Sequence, residues 1–90
     1  MPKINFTSAL KRFFPDLEAE QIEGANDSEV LQNLEKIHPG ICDYIVDEQG
    51  ELRKHVNIFV DGELIQDREK LQDAVGEKDE LFIFQALSGG

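Results

Sequence analysis

The chain has 90 residues, Lys+Arg 9 against Asp+Glu 19, and a formal net charge of -10. That length suits one domain and lets roughly 60 to 65% of the unfolded surface be buried without a disulfide or metal staple. The charge repels phosphate backbones and anionic lipid surfaces, which argues against nucleic acid and membrane as partners, and no stretch reaches the ~20 apolar residues of a membrane span.

The N-terminus, Met1-Pro2-Lys3-Ile4-Asn5-Phe6, alternates polar and apolar residues and lacks the apolar run of a signal peptide. Cys42 is the single cysteine, so a reducing, cytoplasmic setting is expected. Residues Lys3 to Ser8 put Ile4 and Phe6 on one face of a first strand, and Gln21-Ile22-Glu23 reads as a weaker second strand that returns as a hairpin. After Gly24, Asn26 is placed to cap a helix and Glu29 to complete a capping box. Val30, Leu31, Leu34 and Ile37 then form one apolar stripe, and His38-Pro39-Gly40 stops the helix.

Ile41 to Val46 is ambiguous between helix and strand. His55 to Val60 is the clearest strand; Asp61-Gly62 is a two-residue hairpin turn that needs positive φ at both positions, and Glu63-Leu64-Ile65 folds back. A short helical turn is expected through Glu69 to Val75, before a last strand from Glu80 to Gln85. Strand, strand, helix, strand, short strand, strand describes an α+β chain: a mixed sheet of about five strands on one main helix, the β-grasp arrangement, with residues 1-90 as a single domain and 87-90 as its tail.

The last strand is apolar on both faces. Leu81 and Ile83 are assigned to the core. Phe82 and Phe84, with Phe59 beside them, are assigned to the open face as an aromatic patch of the kind that marks an interaction site. The competing reading folds the loop carrying Phe13 and Phe14 over these rings.

Catalytic constellations are missing. His38 and His55 have no metal-ligand spacing and no second cysteine to join them, and Asp47/Glu48 and Asp79/Glu80 read as solvated turn charges without the regular oxygen spacing of a calcium loop. No glycine-rich phosphate loop or nucleophile elbow is present, so an enzyme is not expected. No basic residue adjoins Cys42 to lower its pKa, which makes it a bystander. What remains is Leu87-Ser88-Gly89-Gly90: glycines carry no Cβ, and such a tail can be threaded as extended backbone into a narrow channel.

With this strand order and the aromatic strand leading into Gly-Gly, the chain resembles the MoaD/ThiS family of ubiquitin-like sulfur carriers. The similar segments are Ser28-Glu29-Val30-Leu31, Pro39-Gly40-Ile41, Leu52 to Gly62, and Asp79 to Gly90. The resemblance implies that a ThiF/MoeB-type adenylating enzyme activates the Gly90 carboxylate. ATP and Mg are supplied at that enzyme, with no cofactor bound by the chain itself. A thiocarboxylate then passes sulfur to an acceptor enzyme or synthase. Gly90 would carry the sulfur, while Gly89, Ser88 and Leu87 thread the channel. Phe84 falls where the family presents an apolar contact to its partners. The alternatives are a modifier joined through Gly90 to lysines of target proteins, and a plain interaction domain whose glycines are incidental.

Overall fold

A computed structural model describes residues 1–85 of the chain. Its elements run β1 (Lys3–Phe6), α1 (Ser8–Lys11), β2 (Glu20–Gln21), α2 (Asp27–Ile37), α3 (Cys42–Ile45), β3 (Val56–Val60), β4 (Glu63–Leu64) and β5 (Glu80–Gln85). The strands form one five-stranded sheet in the order β2-β1-β5-β3-β4. β1 and β5 pair in parallel at its centre, with Ile4 beside Leu81 and Phe6 beside Ile83, and the remaining pairs are antiparallel. This is the β-grasp architecture expected from the element order.

The core follows the period-2 pattern of the strands. Ile4, Val56, Ile58, Leu81 and Ile83 are all fully or almost fully buried, and they share one cluster with Val30, Leu31 and Leu34 of α2. Removing a side chain such as Leu34 from this cluster would cost about 2 to 5 kcal/mol.

The start of α2 matches its sequence signal with one change. Asn26 Oδ1 accepts from Glu29 N at 2.8 Å, while the Glu29 carboxylate reaches back one residue further than a capping box requires, to Ala25 N at 3.0 Å. Ile37, expected in the buried stripe, is instead 52% exposed at the last residue of the helix, while Leu34 in the same turn is fully buried. At the end of the helix, Glu35 accepts from Gly40 N and Cys42 N, which holds its carboxyl below the usual range. These bonds seat α3, the short helix that resolves the ambiguous segment.

The other differences are local. β1 ends at Phe6 and Ser8 opens α1; β2 is Glu20–Gln21, and Ile22 turns into the core after it. Asp61 and Gly62 have φ of 50 and 83, the positive values the hairpin demands.

Residues 69 to 75 form no helix. Asp67 Oδ1 accepts from Glu69 N and Lys70 N and its Oδ2 from Gln72 N, Leu71 stands at φ 56, and Leu52 N donates to Arg68 O. The carboxylate outcompetes the helical ladder for the same donors.

Gly24 is fixed by close approach: a Cβ there would lie 2.5 Å from Val30 Cγ2 and 2.7 Å from Val30 N. Gly24→Ala is therefore expected to destabilise the protein by about 1 to 3 kcal/mol in urea unfolding.

Asp27 is 0% exposed, and its Oδ2 has no hydrogen-bond partner among the described residues. Burial first, and the nearby Asp73 carboxylate second, raise its pKa to about 6. The folded-state value lies above the unfolded one, so stability is greatest below the unfolded pKa and falls as pH rises through about 6. Asp27→Asn is expected to flatten the pH dependence of the urea midpoint between about pH 4 and pH 6, the window between the unfolded and folded values.

Candidate functional site

The alternation that buries Leu81 and Ile83 sends Phe82 and Phe84 to the opposite face, where they are 39% and 43% exposed. Phe59 stands opposite Phe82 in the β3/β5 register. The three rings line a shallow groove of about 450 Å³ with Asn5, Asp61, Gly62 and Glu80. A second, apolar groove of about 550 Å³ lies on the helix side, between Leu31, Cys42, Val46 and Leu71.

The competing cover for the rings is absent. Phe13 stacks on Tyr44 with ring centroids 4.7 Å apart, and Phe14 meets the edge of the same ring at 5.8 Å. With both phenylalanines engaged on α3, the sheet face stays open.

Polar groups hold the groove in place. Asn5 Nδ2 donates to Glu80 Oε1 at 2.8 Å, and Glu80 N donates to Asp61 Oδ1 at 2.8 Å. Asp61 and Glu80 were not among the residues expected at the patch. A pattern signal existed for Glu80, which shares the face of Phe82 and Phe84 by period 2, whereas Asp61 reaches the rim only through the hairpin turn. The turn acids are bound as well as hydrated: Asp47 Oδ1 accepts from Gln49 N and Glu51 N, and Asp79 Oδ2 accepts from Gly76 N at 2.7 Å. The Gly76 N–H holds the Asp79 carboxyl below its ordinary value.

Of the residues expected in the tail, Leu87, Ser88, Gly89 and Gly90 lie outside the described residues. The end of β5 is described: Gln85 pairs with Val56, and its Nε2 is 3.4 Å from His55 Nε2. His38 lies apart from it, with Nε2 2.9 Å from Glu20 Oε1. Among the described residues, no three His, Cys, Asp or Glu side chains gather as a metal site, and no helix is long and apolar enough to cross a membrane.

The ThiS family model matches residues 4–90. The chain belongs to the ThiS family. Members of this family are ubiquitin-like β-grasp carriers that serve as substrates of activating enzymes and are not enzymes themselves. Among solved structures, the chain is similar to CysO in the Amycolatopsis orientalis BexX/CysO complex, with 24% identity, a TM-score of 0.86, and 100% of each chain covered. It is similar to Mycobacterium tuberculosis CysO at 22% identity and a TM-score of 0.84, covering 97% of this chain and 100% of that one. SAMP1 from Haloferax volcanii matches at 26% identity and a TM-score of 0.77, covering 98% and 97%. No curated protein matches by sequence.

Cys42 is half-buried, and its Sγ donates to Leu31 O at 3.3 Å. Burial first, then the Glu35 and Asp43 carboxylates, push its thiol up to about 12. At pH 8 iodoacetamide should label it at least about a hundredfold more slowly in the folded protein than in urea, since the thiolate is the nucleophile. Equal rates, read by mass spectrometry, would refute the shielding.

Proposed function

We propose that this ThiS-family protein is a sulfur carrier whose Gly90 carboxylate is adenylated by a ThiF/MoeB-type enzyme and converted to a thiocarboxylate. The observation that carries the reading is the aromatic face of exposed Phe82 and Phe84, on the strand that precedes residues 86–90, with half-buried Phe59 of β3 beside them. An exposed patch of this kind fits a partner surface, and its place on β5 brings that partner to the tail.

The chemistry needs little from the carrier. An α-carboxylate with a pKa near ~3.5 is ionised at neutral pH. Its oxygen attacks the α-phosphorus of ATP and expels pyrophosphate. A sulfur nucleophile at the oxidation level of sulfide then displaces AMP from the mixed anhydride, leaving the thiocarboxylate for an acceptor enzyme. The carrier contributes clearance at Gly89 and Gly90 and a rigid docking face; ATP, Mg and their ligands belong to the activating enzyme. The complex of CysO with BexX agrees with such a carrier working through a protein partner.

The second reading, conjugation of Gly90 to lysines, draws on the likeness to SAMP1, a small archaeal modifier protein. Intact mass spectrometry of the protein isolated from its own cell separates the two. A mass gain equal to replacement of one oxygen by sulfur, lost on deletion of Gly90, is the result expected of the carrier. Gly90 found only in isopeptide linkage to other proteins would refute the carrier reading and favour the modifier.

A further inference from the structure

The charged groups flanking β5 differ in sign between its two ends. At the start of the strand Glu80 is exposed, its main-chain N–H is held by Asp61, and both carboxylates border the aromatic groove. Past Phe84 the charge reverses. Asn57 stands opposite Phe84, and its Oδ1 accepts from Arg68 Nη1 at 3.0 Å. Arg68 Nη2 donates to the carbonyls of Arg53 at 2.7 Å and Val56 at 2.9 Å. All three acceptors are neutral. Arg68 has no carboxylate within ion-pair distance, a state it shares with every other Lys and Arg among the described residues. Half-buried Arg53 and exposed Lys54 precede β3 at this same end, where Gln85 closes β5.

We propose that this gradient sets the direction in which a partner protein lies along β5. The partner's cationic side chains meet Asp61 and Glu80, an apolar contact fills the groove between Phe82 and Phe84, and its carboxylates meet Arg68 and Lys54, beside Gln85 at the end of β5. The inference rests on the reading of this face as the carrier's docking surface, and it adds the chemistry and orientation of the partner.

Aromatic contact alone has little directional content, because burial energy follows area. A partner reversed on the strand would set carboxylates against Glu80 and cations against Arg68. Like-charge contacts reject that pose, while opposite charges speed the correct encounter. The direction matters because Gln85, after which residues 86–90 follow in sequence, lies at the cationic end.

Arg68 also clips its loop to β3, so its loss tests structure as well as charge. Exposed residues at the two ends separate these roles. The assay is ATP–pyrophosphate exchange by the ThiF/MoeB-type enzyme of the same cell with the full-length chain. Glu80→Arg and Lys54→Glu should each raise KM for the chain about tenfold with kcat unchanged, an effect that shrinks as salt is added. Glu18→Arg and Lys36→Glu make the same changes in net charge elsewhere and should leave KM within about twofold. Arg68→Lys should stay closer to the wild type than Arg68→Gln, each checked for folding by its thermal midpoint.

If Glu80→Arg and Lys54→Glu match their controls while the wild type exchanges normally, the directional inference is overturned and the carrier reading stands. A wild-type chain that supports no exchange defeats the carrier reading, and this inference with it.

Discussion

β5 carries apolar side chains on both faces, and the sheet has one eleven-residue helix with which to cover them. Leu81 and Ile83 take the covered side, where they join Val30, Leu31 and Leu34; Phe82 and Phe84 are left to water. The parallel pairing with β1 and antiparallel pairing with β3 put this strand inside the sheet, so its main chain is held along both edges. A strand so fixed cannot rotate to hide its second face. The exposed rings are thus a direct result of where the sheet places β5, and the site and the core are two sides of one element.

Much of the acidic side-chain inventory is spent on the backbone. Asp47, Asp67, Asp73 and Asp79 each accept from main-chain N–H groups in loops and turns, Asp61 accepts from Glu80 N at the start of β5, and Glu35 accepts from two N–H groups after α2. Short strands and two four-residue helices leave many donors without ladder partners, and a carboxylate satisfies two or three at once. These carboxylates therefore stitch the 61–79 region together. The cations do not take up these carboxylates: among the described residues no Lys or Arg lies within ion-pair distance of one, and Arg53 and Arg68 donate to neutral oxygens.

The elements legible in the sequence are those whose signal is local. Alternation marked β3 and β5, the Asp61-Gly62 pair marked its hairpin, and Asn26 with Glu29 marked the start of α2. The stretch from 69 to 75 misread as helical because its order comes from Asp67 and from a main-chain bond to Leu52, neither of which has a periodic trace. Ile37 had helical spacing, yet it is the last residue of α2 and stays exposed while Leu34 in the same turn is buried. Phe13 and Phe14 had two possible docking places, and the choice of Tyr44, about thirty residues away in the chain, is a tertiary decision. The aromatic half of the candidate site could be read from period 2. Its charged ends could not, since Asp61 and Arg68 arrive there through turns.

A protein proposed to carry an activated acyl group faces a hazard from its own nucleophiles. A mixed anhydride at Gly90 is open to attack by any thiolate within reach. Cys42 is the one thiol of the chain. Desolvation together with the Glu35 and Asp43 carboxylates keeps it protonated, and its S–H is turned inward to Leu31 O. Glu35 is itself fixed in that position by Gly40 N and Cys42 N, so the same two bonds that end α2 also quench the sulfur. A scaffold whose own thiol is silenced by its helix terminus leaves sulfur chemistry to groups brought by partners, which is what a carrier of activated carboxylate requires.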